Sequence, residues 1–251
     1  MRILSVNSNY YNNHNSFKGF ERTVYKAGMS ATEENILHRN NSYILRKDLP
    51  WKSVAAEIID KFKNVDKVST IIYACSDGRE PMSFLIALDS VAGEKEVEKF
   101  CPIIAKDYDL FAINTAKANF YEFSEEEKSR INLISNNRFD EYFTAVSKLE
   151  NRYKATKKLT DRILYEMGDF TKEYSTLPKE NIILATRNCW PYFSMRNQYR
   201  LPKELCNHFD KNAMLLFGEF DFTSQNRSDF LENGFQQSPL TQNCSGAIYK
   251  K

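Results

Sequence analysis

Val68–Ser83 reads VSTIIYACSDGREPMS, an apolar β-branched run that ends in a small polar turn and then opens a helix. The run Ile71, Ile72, Tyr73, Ala74 is too short for a helix and reads as a strand buried on both faces, as in a parallel sheet. Pro81 falls where a first helical turn tolerates a missing N–H, and Glu80 is close enough to complement the positive end of the helix dipole. Gly78 is the only residue of the turn without a Cβ, so a ligand could approach the backbone there. Locally the stretch is either a ligand cradle or an ordinary strand-to-helix loop, and the rest of the chain has to decide.

Outward from it the same rhythm continues. Upstream, SYILR at Ser42–Arg46 precedes PWKSVAAEIIDKF, which starts at Pro50 and places Val54, Ala55, Ile58, Ile59 and Phe62 at helical spacing. Downstream, the spacing predicts a helix over Pro81–Val91, a strand over Cys101–Ala105 and a helix over Leu110–Phe120. Strand, helix, strand, helix implies right-handed crossovers and a parallel sheet. A charged segment at about 122–160 interrupts the alternation; it reads as an insertion, helical around Glu125–Leu133 with a β-excursion near Tyr142–Lys158. Strands are predicted again at Arg162–Glu166, Asn181–Ala185 and Ala213–Phe217, with a helix over Met195–Phe209, and Gly234–Leu240 and Ala247–Tyr249 can close the sheet as an antiparallel hairpin. Residues 1–41 are rich in Asn, Ser and Tyr and read as a polar N-terminal arm with one short helix near Thr32–Arg39.

Bulk properties narrow the function. The 251 residues suit one α/β domain, and 35 basic against 33 acidic residues, well mixed, imply no electropositive field for nucleic acid. Five cysteines at positions 75, 101, 189, 206 and 244 form no CxxC pair, which suits a reducing cytoplasm. No apolar segment approaches the ~20 residues of a membrane span and Met1–Tyr10 lacks a signal-peptide layout, so a cytoplasmic protein without membrane insertion is expected. His14 and His38 have no partner at metal-ligand spacing and read as surface histidines, as does His208; no metal is expected. There is no GxxxxGK[ST] loop and no GxSxG elbow, and no histidine lies near a strand end to serve a hydrolase as base.

What remains is a sheet edge. Asp107, 29 residues after Gly78, follows the second strand, where a carboxylate can accept both hydroxyls of a ribose; a helix-capping aspartate is the alternative, and Asp109 is the better placed cap. Arg187–Phe193, RNCWPYF, puts polar and aromatic groups at another strand's carboxyl end, where open α/β sheets bind ligands. Arg46 by itself reads as a solvated arginine. Methyl transfer from a sulfonium fits this inventory, because the donor is already activated and the protein need only align the reactants and exclude water. A nicotinamide enzyme would need a glycine-rich fingerprint that a single Gly78 does not supply.

Four of these segments together resemble the chemotaxis-receptor methyltransferases of the CheR type, which use S-adenosylmethionine to methylate receptor glutamates. CSDGREPMS at Cys75–Ser83 is similar to that family's Cys-Ser-x-Gly-x-Glu-Pro-x-Ser, AKDYD at Ala105–Asp109 to its Ala-x-Asp-x-Asp, RNCWPYF to its Arg-Asn-x-x-x-Tyr-Phe, and SYILR to its Phe-Phe-Arg box, in the family's order. Arg79 stands where the family usually has an acid beside the glutamate. The resemblance implies a Rossmann-like class I methyltransferase fold over 42–251, with a central mostly parallel sheet, a C-terminal antiparallel hairpin and helices on both faces. It also implies that Arg46 contacts the cofactor's carboxylate, Glu80 its amino group and Asp107 its ribose. Ser76 and Gly78 would lie in the cradle, and Gly168 and Asp169 beside the adenine. Arg187 and Tyr192 would line the methyl-transfer site and orient an acceptor carboxylate, which a protein glutamate would supply. The alternative is a catalytically inactive protein of the same fold that binds the cofactor or a partner.

Overall fold

The computed structural model describes residues 42–147, 151–210, 212–221 and 224–251; the arm over 1–41, with its expected helix and with His14 and His38, lies outside them. In chain order the elements are α1 (Trp51–Lys61), β1 (Ser69–Tyr73), α2 (Arg79–Ala92), α3 (Glu94–Val97), β2 (Ile103–Asp107) and α4 (Leu110–Ala118). The insertion follows with β3 (Phe120–Glu122), α5 (Glu125–Ser135), α6 (Phe139–Tyr142), β4 (Phe143–Ser147), β5 (Arg152–Ala155) and α7 (Lys157–Thr160). Then come β6 (Ile163–Met167), α8 (Phe170–Glu173), β7 (Ile182–Ala185), α9 (Met195–His208), β8 (Ala213–Phe217), α10 (Ser224–Glu232), β9 (Gln236–Gln237) and β10 (Ala247–Lys250).

The main sheet has the order β6-β2-β1-β7-β8-β10-β9. Its first five strands run parallel, and β10 is antiparallel to both β8 and β9. The run at β1 is apolar throughout because both faces are covered. Ile72 packs into the layer with α1 and α2 (Val54, Ile58, Leu85, Leu88), while Ile71 and Tyr73 pack into the layer with Phe170 of α8, Leu201 and Leu205 of α9 and Phe230 of α10. No helix of the described residues is long and apolar enough to cross a membrane.

The insertion carries its own three-stranded antiparallel sheet, β3-β5-β4. It starts earlier than its charge pattern suggests. Asn119 takes a left-handed φ of 59° and ends α4 there, so Phe120, expected as the last helical residue, instead opens β3. Tyr121, Phe123, Phe139, Phe143 and Tyr153 form its small aromatic core, with Phe123 and Phe143 ring centroids 4.7 Å apart. Ser124 and Glu127 close a reciprocal capping box at the start of α5. The insertion is riveted to α2 at Asp89, which is buried and pairs with Arg138 at 2.9 Å and Lys158 at 3.1 Å while accepting from the Tyr142 hydroxyl.

Candidate active site

The carboxyl ends of β2, β1 and β7 lie side by side, and each delivers part of one site. After β1 the chain passes through Ala74 (φ 57°), Ser76 (φ 51°) and Gly78 (φ 89°), all in the left-handed region. Two of these carry a Cβ, so the turn is strained and must be held from outside. Ser76 N donates to Asp107 Oδ2 at 2.8 Å, Cys75 N to Lys106 O at 3.0 Å, and the Tyr121 hydroxyl to Asp77 O at 3.0 Å.

Asp107 is therefore no helix cap. Its Oδ1 accepts from Asp109 N at 2.9 Å, and it is Asp109 that caps α4, accepting from Phe111 N at 2.8 Å. Gly78 has a different reason from the one read in the sequence: a Cβ there would stand 2.5 Å from Tyr165 Oη, so the protein's own tyrosine fills the space expected for a ligand. Gly168 N donates to Asp107 O at 3.0 Å, and a Cβ at 168 would meet Lys106 Cδ at 2.7 Å. Asp169 accepts from Thr171 N at 3.0 Å and from its hydroxyl at 2.7 Å, so its carboxylate is engaged in starting α8.

The buried heart of the site is ionic. Arg187, just past β7, has only 3 % of its surface exposed. Its Nη2 lies 2.5 Å from Asp48 Oδ1, its Nη1 3.4 Å from Glu80 Oε2, and the guanidinium stands 5.0 Å from the Trp51 ring centroid. The acceptor-orienting arginine expected from the sequence is thus paired with the protein's own acids. Burial raises the Glu80 carboxyl above the usual range, while Arg187 and then Arg46 pull it back. Arg46 is half-buried, lies over the Tyr43 ring, and its carbonyl accepts from Trp51 Nε1 at 2.8 Å. Tyr192 is half-buried in the short 3-10 turn Trp190–Tyr192. The buried polar atoms without a hydrogen-bond partner among the described residues include Ser76 Oγ, Glu80 Oε1, Asp48 Oδ2 and Arg187 Nε. Burial raises the thiols of Cys75 and Cys189 well above the usual range, which disfavours the thiolate at both.

Two residues that the sequence reading left without a role hold this arrangement. Asp221, past β8, is buried and accepts from Asn188 N and Gly218 N at 2.6 Å each and from Trp190 N at 3.0 Å, stapling the Arg187–Phe193 loop to the neighbouring strand end. Only the acid in GEFD at Gly218–Asp221, a few residues past a strand, could have signalled it. Arg79 joins the turn to the insertion. It pairs with Asp77 at 3.2 Å and Glu127 at 3.1 Å, donates to Glu122 O at 3.0 Å, and lies over the rings of Tyr121 and Phe123. Arg79→Ala is expected to cost about 1–3 kcal/mol in urea unfolding and to speed proteolytic nicking within 122–160. Arg79→Lys should recover little, because a point charge cannot make the divided contacts of a guanidinium; full recovery would show that charge alone matters.

No curated protein matches the chain. Solved structures of similar fold include the magnesium protoporphyrin IX methyltransferase of Synechocystis PCC 6803 with bound S-adenosylmethionine, at TM-score 0.40 and 11% identity over 79% of this chain and 76% of that one. A TehB-like SAM-dependent methyltransferase from Corynebacterium glutamicum matches at TM-score 0.39 and 12% identity over 78% and 86% of the two chains. The precorrin-6y C5,15-methyltransferase of Geobacter metallireducens matches at 0.40 and 8% over 78% of each. The family profile described as CheR methyltransferase, SAM binding domain, matches residues 40–237, which takes in Arg46, the turn at Ser76–Glu80, Asp107 and the Arg187–Phe193 loop. With most of its length inside that match and the matched motifs gathered at one sheet edge, the chain belongs to the CheR methyltransferases and carries their domain for S-adenosylmethionine.

Proposed function

We propose that this S-adenosylmethionine-dependent methyltransferase transfers its methyl group to a carboxylate, with a protein glutamate as the acceptor. The residues present fit the cofactor. Glu80 Oε1 is a buried acceptor with no partner among the described residues and suits an ammonium, Arg46 beside it is a cation for a carboxylate, and Asp107 at the end of β2 is a carboxylate for the ribose hydroxyls. S-adenosylmethionine supplies a methyl on a positive sulfur, an electrophile that needs no further activation. The chain's own task is then to bind, orient and exclude water.

The observation that supports the carboxylate reading is that the acids of the site, Glu80 and Asp221, are buried and engaged with Arg187 or with backbone N–H groups, and that it has no histidine among the described residues. Among the described residues, no histidine lies at the carboxyl ends of β1, β2 and β7, and burial raises the Cys75 and Cys189 thiols there well above the usual range. An amine or alcohol acceptor would call for a base, whereas an ionised carboxylate is already a nucleophile. Tyr192, half-buried on the loop after β7, offers a hydroxyl that would steady it.

Calorimetry with S-adenosylhomocysteine tests the cofactor half. Asp107→Ala should weaken binding by about 1–3 kcal/mol, the range for a lost charge-assisted hydrogen bond; unchanged affinity would remove Asp107 from the site. Tritiated S-adenosylmethionine added to a cell lysate tests the acceptor half. Carboxyl esters release their label as volatile methanol in mild alkali, so label on protein that survives alkali would refute a carboxylate acceptor. Cofactor binding without any labelled protein would identify an inactive binder.

A further inference from the structure

The motif resemblance implies Glu80 alone for the cofactor's amino group, yet the structure puts a second acid beside it. Asp48 comes from the segment between Arg46 and α1, far from Glu80 in sequence. Asp48 keeps 7 % and Glu80 8 % of its surface exposed, and both reach the same buried guanidinium, Arg187, at 2.5 and 3.4 Å. Arg187 between the two carboxylates leaves that trio with a formal charge of −1, and Arg46, whose charge also acts on Glu80, is the cation for the cofactor's own carboxylate. The arginine also uses only one oxygen of each acid: Asp48 Oδ2 and Glu80 Oε1 accept no hydrogen bond from any described residue. A buried carboxylate oxygen without a donor costs free energy, and the Arg187 Nε–H, the remaining buried donor of the set, makes a bond to neither oxygen, so both are open to a cation with N–H groups.

From this pairing we infer that Asp48 and Glu80 form a two-carboxylate receptor, pre-set by Arg187, for the α-ammonium group of the cofactor's amino-acid tail. The inference rests on the cofactor assignment and goes beyond it by adding Asp48 as a binding residue. An ammonium has three donors in a compact head, enough to serve Glu80 Oε1 and Asp48 Oδ2 together. Its charge brings the Asp48–Arg187–Glu80 trio to neutrality, while the cofactor's carboxylate does the same for Arg46. Arg187 then acts as a positioning residue: by holding the far oxygen of each acid it leaves the near one for the ligand. The surrounding backbone fixes Asp48 for this purpose. Gly246 N donates to Asp48 O at 3.0 Å, Leu45 N to Ser83 Oγ at 2.7 Å, and Trp51, whose face covers Arg187, is anchored through Nε1 to Arg46 O at 2.8 Å. The purpose of this receptor is discrimination. A nucleoside without the amino-acid tail would leave Asp48 Oδ2 and Glu80 Oε1 without donors, and such a site rejects the analogue that lacks them.

The test compares S-adenosylhomocysteine with 5′-methylthioadenosine, which has the nucleoside and sulfur without the amino-acid tail, by calorimetry on the whole chain. Asp48→Asn should weaken S-adenosylhomocysteine by about tenfold or more and leave 5′-methylthioadenosine within about twofold. Equal loss for both ligands would reduce Asp48 to a prop for Arg187, and no loss for either would remove it from the receptor; both overturn the inference. Should Asp48→Asn fail to fold, the wild type decides. It should bind the α-deamino analogue of S-adenosylhomocysteine about a hundredfold more weakly than the parent, and parity within about threefold would overturn the receptor. A wild type that binds neither ligand would overturn the cofactor assignment and this inference together, whereas tight S-adenosylhomocysteine binding that ignores Asp48→Asn overturns this inference alone.

Discussion

Replacing Arg187 by leucine is expected to cost about 3–5 kcal/mol of folding free energy, the range for removing one partner of a buried ion pair. Leucine fills part of the volume against Trp51 but leaves Asp48 and Glu80 buried beside each other with no cation between them. A drop in the urea midpoint at unchanged slope would measure the loss. The triple variant Asp48→Asn, Glu80→Gln, Arg187→Leu should recover most of it, because the uncompensated charges are then gone. If the single variant loses under about 1 kcal/mol, the acids are not charged in the fold and the ionic account of the site is wrong. Cofactor affinity should vanish in the single and triple variants alike, which separates stability from binding.

Asp221→Ala is expected to cost about 3 kcal/mol or more, because it orphans three buried N–H groups at once, each worth roughly 1 kcal/mol or above when left without an acceptor. The loop Arg187–Phe193 would lose its staple, so methyl transfer should fall further than cofactor affinity does. The same aspartate adds a pH dependence. Burial pushes its carboxyl up to about 7, against three N–H donors and Arg187 that pull the other way. The folded state thus holds a proton that the unfolded chain, with a pKa of 3.8, releases. Its contribution to stability is full below about pH 4 and declines as pH rises through about 7. Urea midpoints measured across pH 4–7 should fall for the wild type and fall less steeply for Asp221→Asn; parallel slopes would mean that Asp221 is ionised throughout.

The sheet was legible because its strands are covered on both sides. At β1, β2, β7 and β8 that burial selects short β-branched or aliphatic runs, and the sequence places all four within a residue or two of where they form. The closing hairpin was legible too, with Gln237 opposite Tyr249, although β10 also pairs with β8 and so enters the sheet ahead of β9. Strand β3 was not legible: three residues pair with Arg152–Lys154 far along the chain, and nothing within Phe120–Glu122 announces it. The choice between Asp107 and Asp109 as helix cap could be made from the sequence, since capping is a local rule. The Arg187–Asp48 pair could not, because its partners lie 139 residues apart and ion pairing has no period. Arg79 falls between these cases. The sequence marks it as an oddity beside Glu80, while its explanation lies in Glu122 and Glu127 on the insertion.

The bond from Ser76 N to Asp107 Oδ2 has a consequence for which nucleosides the enzyme admits. In sites that take phosphorylated nucleotides, the backbone amides of the strand-to-helix turn wait for an anion that arrives with the ligand. Here the anion is a side chain of the neighbouring strand, already in place. A phosphate brought to that amide would stand against Asp107, and two like charges about 4 Å apart repel by about 4 kcal/mol at an effective dielectric near 20. The Ser76 amide thus already has its anion in Asp107, an arrangement that disfavours an adenosine phosphate at that amide over an adenosine whose 5′ substituent is neutral or positive.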